Sequence, residues 1–148
     1  PRPLYERLDE LEALGYKNYY FQFTLNDYVR EGLEPNVPSV ESRIETFRKI
    51  ADRIGKARVI WRFDPLILSQ KLTVEELLGR ILSIGRALKG STEKLVFSFA
   101  DIQAYRKVAQ NLVGTGCREF FHGEKIAFVE GLRGIGDGFG TCDLCGGY

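Results

Sequence analysis

The sequence predicts an α/β fold in which a parallel sheet of repeated βα units forms part of a (β/α) TIM-like barrel. Strand-like and helix-like segments alternate three times along the chain. The three strand segments share one aromatic pattern, "FQFT", "WRFD" and "FSFA", at intervals of about 36 to 40 residues. The segments between them carry apolar residues at helical spacing, as helices that cover such a sheet would.

The first βα unit is delimited by turn and capping residues. A first helix is expected over about residues 3–14, before Gly15, and the first strand lies in "YYFQFTLND". A loop of about a dozen residues, rich in Pro, Asn and Gly, follows it. Ser39 can cap the next helix, which Gly55 would end. Its buried stripe would consist of Val40, Ile44, Phe47, Ala51 and Ile54.

The second and third units repeat this arrangement. "ARVIWRFDP" reads as a strand, and Pro65 is expected to end it. Thr73 and Glu76 form a capping box ahead of a helix that Gly90 ends. "KLVFSFAD" is the third strand, and the helix after it would bury Ile102, Tyr105, Val108 and Leu112.

Polar residues alternate with the aromatic residues in the shared motif of the three strands. Because side chains alternate between faces along a strand, the aromatic residues should face the helices and the polar ones the opposite side. This polar face, extended by the aspartate after the third strand, is expected to line a ligand pocket at the carboxyl ends of the strands. Its residues are Gln22, Thr24, Arg62, Asp64, Ser98 and Asp101.

Arg62 and Asp64 are the candidate catalytic residues. A guanidinium fork suits carboxylate or phosphate, so Arg62 would hold an anionic group of a substrate or cofactor. Asp64 would orient Arg62 or act in proton transfer. The alternative is a structural ion pair, and Gln22 and Ser98 could equally be hydrogen-bonded polar groups of a barrel interior.

The chain divides by composition into a βα-repeat domain, residues 1–112, and a Gly-rich segment, residues 113–148, that is part of the same domain or a mobile tail. "GEKIAFVEGL" can form a short helix, with His122 near its start in a capping or solvent-facing role. "GLRGIGDGFG" reads as a flexible linker, because it lacks the dinucleotide fingerprint and does not follow a strand.

Cys142 and Cys145 form a C-x-x-C, a spacing that suits a metal ion, a redox pair or incidental thiols. Cys117 and His122 are the only further Cys or His ligands in the chain. Three cysteines with one exchangeable position would suit an iron–sulfur cluster that binds SAM at its open iron. SAM is the weaker expectation, because the C-x-x-x-C-x-x-C of radical-SAM enzymes is absent.

Charge and hydropathy narrow the range of partners. Lys plus Arg (21) nearly equals Asp plus Glu (20), and the charges are interleaved, so no nucleic-acid footprint is indicated. No apolar run suits a membrane span and no leader is evident, so a cytoplasmic location is expected. A small-molecule ligand is the expected partner. Three strands are too few to close a barrel, so further strands or a second copy should cover the sheet edges.

Several unusual stretches occur in the order seen in one known family: "YYFQFTL", "LEPNVP", "RIETFRKIADRIG", "RVIWRFDPLIL" and "FSFAD". By these stretches, residues 1–112 resemble a bacterial family of uncharacterised proteins, a domain of unknown function thought to be similar to radical-SAM (β/α) barrels. The resemblance implies a barrel, an iron–sulfur cluster held by C-terminal cysteines, and an unknown substrate. Members look longer on the N-terminal side, and their cysteine cluster cannot be matched here residue by residue.

Two functions follow from these observations. The first is a radical-SAM-like or metal-assisted barrel enzyme that acts on a small anionic substrate. The second is a non-catalytic binding or assembly module built on a partial barrel.

Overall fold

The computed structural model describes residues 7–16, 18–102, 114, 116–133 and 143–144. The helices are α1 (Leu8–Ala13), α2 (Val40–Ile54), α3 (Val74–Leu88) and α4 (His122–Arg133), with a 3-10 turn at Lys56–Arg58. The strands are β1 (Phe21–Thr24), β2 (Val59–Leu66), β3 (Leu68–Ser69), β4 (Leu95–Phe99), β5 (Cys117–Arg118) and β6 (Asp143–Leu144). Among these helices, none has the length and apolar character needed to span a bilayer.

The main sheet has the strand order β1-β2-β4-β6, and all of its neighbouring strands are parallel. A separate antiparallel pair joins β3 to β5. The predicted α/β class and parallel pairing are therefore confirmed. A closed barrel is not shown, and the described strands form an open sheet.

The pairing register differs from the alignment of the repeated motifs. Phe21 lies opposite Val59, and Phe23 lies opposite Trp61, so β2 is offset by two residues from the motif match. The same offset separates β2 from β4, where Trp61 pairs with Leu95. Because the offset is even, each side chain stays on its predicted face, but the polar residues of the three strands do not lie at one level.

The apolar core lies between the aromatic face of the sheet and helices α2, α3 and α4. Trp61 and Phe63 are almost completely buried. The ring of Phe23 lies 5.3 Å from that of Phe47 on α2, and Phe97 lies 5.6 Å from Phe128 on α4, both edge to face. The predicted stripe of α2 is also turned inward, since its central and C-terminal members are buried.

The predicted N-caps of α2 and α3 are present, whereas the Glu76 carboxylate, the other half of the predicted capping box, accepts a bond from Arg80. The Ser39 hydroxyl accepts a bond from the backbone N–H of Ser42 at 3.2 Å, and Thr73 accepts one from Glu76 at 3.3 Å. Such caps satisfy amide groups that a helix cannot bond internally. These local interactions fix where α2 and α3 begin.

Strand β2 runs through Pro65 and ends at Leu66, so the prediction that Pro65 would end it was wrong. The register against β4 shifts between Phe63 and Leu66, and a proline is tolerated at such an irregularity. Beyond Arg62, side chains of the β1–α2 loop take over the hydrogen bonding of β2, as described below.

Helix α4 confirms the helix expected in "GEKIAFVEGL" and packs on the sheet. Phe128 is completely buried, and its ring lies 5.6 Å from Phe120 and 5.9 Å from Phe99. The helix expected to carry Ile102, Tyr105, Val108 and Leu112 falls largely outside the described residues. The linker predicted at residues 131–140 was wrong at its start, because residues 131–133 form the end of α4, and the rest of it lies outside the described residues. The proposed division at residue 112 stays a prediction.

Candidate functional site

Arg62 lies on the polar side of the sheet, in the middle of β2. Its neighbours along the strand, Trp61 and Phe63, are buried against the helices, so alternation turns Arg62 away from the core. The Arg62 side chain is 35% exposed and that of Asp64 is 21% exposed. Burial of the aromatic positions thus sets the direction of the two polar ones.

Arg62, Asp64 and Ser98 come together in one cluster. The Nη2 of Arg62 donates to Oδ2 of Asp64, and the Ser98 hydroxyl donates to Oδ1 of the same carboxylate. Both oxygens of Asp64 therefore accept a bond from within the cluster. Contact between Arg62 and Asp64, expected from their i, i+2 spacing, is present, and Ser98 on β4 joins it.

One donor of this cluster lacks a partner. The Nε of Arg62 is buried and has no hydrogen-bond acceptor within the described part of the chain. Buried N–H groups are nearly always paired, and each exception needs an explanation. With one Nη held by Asp64, the guanidinium is oriented and still has unused donors.

The other residues predicted for the site are less closely placed. Thr24 lies opposite Arg62 in the β1–β2 ladder, and Gln22 lies opposite Ile60, one step further from the strand ends. Both side chains are exposed, and Asp101 is exposed two residues beyond the end of β4. The structure brings Thr24 beside Arg62 but places Gln22 and Asp101 at greater distance along the strands.

Sequence reasoning missed Asn26, which lies just after β1. Its Oδ1 accepts from the backbone N–H of Asp64 at 2.9 Å, and its Nδ2 donates to the Asp64 carbonyl at 3.0 Å. Asn26 is only 8% exposed. Its side-chain amide thus makes the pair of bonds that a strand backbone would make. "LND" reads as turn chemistry, and no local signal links it to β2.

Tyr28, two residues after Asn26, makes the next contact between the loop and β2. Its hydroxyl donates to the Pro65 carbonyl at 2.8 Å and accepts from the Ile67 N–H at 3.1 Å. Burial raises the pKa of Tyr28 above its ordinary value. Asn26 and Tyr28 together replace the strand partner that β2 loses where β1 ends.

The loop that carries these two residues is held by buried ion pairs. Glu31 bonds to Arg80 on α3 at 2.9 and 3.0 Å, and Glu34 bonds to Arg43 on α2 at 3.0 and 3.4 Å. The side chains of Glu31 and Arg80 are each 9% exposed. Hydrogen bonding to Glu31 raises the pKa of Arg80. The predicted Pro- and Asn-rich loop is therefore anchored to helices α2 and α3.

The predicted cysteine ligands are not brought together by the described residues. Cys117 is half-buried in β5, opposite Ser69 of β3, while Cys142 and Cys145 lie outside the described residues. Within the described ranges, no three His, Cys, Asp or Glu residues form a group that could hold a metal ion. His122 is exposed as the first residue of α4, in agreement with a solvent-facing role.

A cleft of about 450 Å³ lies between β3, the start of α3 and the start of α4. Arg118 forms two 2.7 Å bonds to Glu124 on its wall, and Glu124 also accepts from the Phe121 N–H at 2.9 Å. The bonds from Arg118 hold the pKa of Glu124 down, at about 2. Because Arg118 and Glu124 bond to each other and to the start of α4, we assign this pair a structural role.

Comparison with known proteins identifies the family. The model of the family described as Domain of unknown function (DUF1848) matches residues 1–147, and the chain belongs to that family. No curated protein and no solved structure gives a significant match. The family description assigns no activity, so the support for a function lies in the residues of the site itself.

Proposed function

We propose that this member of the DUF1848 family binds a small anionic molecule on the polar face of its sheet, with Arg62 as the residue that contacts the anion. The observation that carries the proposal is the guanidinium of Arg62, which is 35% exposed on the polar face of the sheet and is oriented by the bond from its Nη2 to Asp64. A guanidinium held in this way keeps further N–H donors on its Nη atoms, and such donors suit a carboxylate or phosphate.

Asp64 orients Arg62 in this proposal. Both of its oxygens already accept bonds, one from Arg62 and one from Ser98. These two bonds fix the carboxylate in the position that holds Arg62, and each oxygen keeps one further acceptor site. The geometry therefore favours orientation over proton transfer. Thr24, opposite Arg62, supplies a hydroxyl beside the proposed anion.

We further propose that the parallel strands are a sector of a (β/α) barrel. Helices cover one face of the sheet, and the other face carries Ile60 and Val96 together with the polar Arg62, Asp64 and Ser98, as a barrel interior with a polar layer would. Barrel enzymes bind substrates at the carboxyl ends of their strands, where Asp64 and Asp101 lie. The position of the cluster toward the carboxyl ends of the strands favours an enzyme over a passive binding module.

An NMR titration tests the anion site. We expect the Nε–Hε signal of Arg62 to shift when acetate, malonate or phosphate is added at constant ionic strength. Arg62→Ala should remove binding, whereas Arg58→Ala should retain it. Arg58 is the matched control, because it lies just before β2, at the opposite end, and carries the same charge. A wild-type Arg62 signal that ignores all three anions would contradict the proposal.

An iron–sulfur cluster on Cys142 and Cys145, with Cys117 as a third ligand, remains part of the enzyme proposal. The C-x-x-C spacing supports it, although the described residues do not assemble such a site. Anaerobic purification followed by iron and sulfide analysis tests it. Stoichiometric iron that is lost in Cys142→Ser would favour a metal-assisted enzyme, and iron-free, colourless full-length protein would favour the non-catalytic binding module.

A further inference from the structure

We infer that Asn26 is a positioning residue, which sets the orientation of Arg62 through Asp64. The inference rests on the proposed anion site and adds the element that controls it. Asn26 comes from the β1–α2 loop and touches none of the groups that would meet the anion. Its two bonds end on the backbone N–H and C=O of Asp64, at 2.9 and 3.0 Å.

The position of Asn26 in the sheet explains this role. The last backbone bond between β1 and β2 runs from the Leu25 N–H to the Arg62 carbonyl, at 2.9 Å. One residue later the backbone of β1 has left the sheet, and the Asn26 side chain makes the next two bonds instead. Asp64 is therefore gripped on its main chain by Asn26 and on its carboxylate by Arg62 and Ser98.

Anchoring of the loop makes this grip specific. Asn26 is buried, and the loop beyond it is tied to α3 by Glu31 and to α2 by Glu34. Asn26 is held by the anchored loop on one side and by its bonds to Asp64 on the other. Because hydrogen bonds depend steeply on distance and angle, this arrangement fixes the position of Asp64. Loss of the Asn26 amide would leave the backbone bonds between β1 and β2 intact. It would remove the two bonds that hold the main chain of Asp64.

The structure supplies a matched control in Tyr28. Its hydroxyl also bonds to the backbone of the same segment, but at Pro65 and Ile67, beyond Asp64. Tyr28→Phe should therefore lower stability without moving the carboxylate. A general loosening of the loop would affect both variants, whereas a positioning effect would appear in Asn26→Ala alone.

Two measurements on Asn26→Ala and Tyr28→Phe test the inference. In the ligand-free protein, Asn26→Ala should shift the Nε–Hε signal of Arg62 and lower its heteronuclear NOE. Its affinity for phosphate should fall about five- to tenfold, the equivalent of roughly one hydrogen bond. Tyr28→Phe should leave the Nε–Hε signal of Arg62 in place. Its affinity for phosphate should stay within about twofold of wild type, a change smaller than the loss of one hydrogen bond.

The outcomes separate this inference from the anion site. An Arg62 signal unchanged by Asn26→Ala, or changed equally by Tyr28→Phe, overturns the positioning role. If Asn26→Ala changes the ligand-free signal but wild-type protein ignores phosphate, the positioning role stands and the anion site fails. If Asn26→Ala does not fold, Asn26→Ser replaces it, because its shorter hydroxyl side chain cannot span the N–H and the C=O of Asp64 together and adds no charge.

Discussion

The two faces of strand β2 differ in what their side chains do. Trp61 and Phe63 are 1% and 0% exposed and pack between the sheet and its helices. Arg62 and Asp64, one residue along, are partly exposed and bond to each other and to Ser98. Residues of one strand therefore belong either to the apolar core or to the polar cluster, according to whether their position is odd or even. Neighbouring substitutions should consequently have very different effects.

The largest effect is expected for Phe63→Ala. Removal of a fully buried aromatic ring should lower the free energy of unfolding by about 3 to 5 kcal/mol. Urea denaturation followed by circular dichroism measures it. Arg62→Ala is the control on the opposite face and should cost much less, because its side chain is 35% exposed. Equal losses in the free energy of unfolding for Phe63→Ala and Arg62→Ala would contradict the proposed difference between the two faces.

Arg80→Met tests whether the β1–α2 loop belongs with the stability-bearing part of the molecule. Glu31 and Arg80 are each 9% exposed, so loss of Arg80 leaves a buried carboxylate without its partner. We expect unfolding to become easier by about 3 kcal/mol. The double variant Glu31→Gln, Arg80→Met should recover part of this loss, since it removes the unpaired charge. A double variant no better than the single one would contradict the ion-pair explanation.

The smallest effect concerns the start of α4, on the packed side of the sheet. Bonding to Arg118 lowers the pKa of Glu124 from 4.5 to about 2. A depressed carboxyl pKa contributes stability above the unfolded value of 4.5, and this contribution is lost as the pH falls toward 2. Because the pair is partly exposed, the loss should stay below about 1 kcal/mol.

Thermal unfolding of wild type and Glu124→Gln between pH 6 and pH 2.5 checks this prediction, with both values chosen to bracket the ordinary carboxyl range. The two melting curves should converge as the pH falls. Glu130→Gln, the same change on an exposed position of α4, should run parallel to wild type throughout. A constant gap between Glu124→Gln and wild type would exclude a contribution from the ionised pair.

Part of the candidate site could be read from local pattern. The alternation in "WRFD" predicts that Arg62 and Asp64 share a face, and the structure places them in contact. The same reasoning could not find Asn26, because its partner is 38 residues away and depends on where β1 leaves the sheet. Pro65 was misjudged for a related reason, since its tolerance depends on the shift in register of β2 against β4, between Phe63 and Leu66.

The sequence by itself determined the α/β class, the succession β1, α2, β2, α3 and β4, the N-caps of α2 and α3, and the face on which the residues of these three strands lie. These properties are set by interactions between residues near in the chain, chiefly backbone geometry and the burial of regularly spaced apolar groups. Tertiary structure alone decided the two-residue offset between strands, the path of β2 through Pro65 and the pairing of Glu31 with Arg80. Those features depend on how segments far apart in the sequence pack against each other, and a local sequence pattern does not specify such contacts.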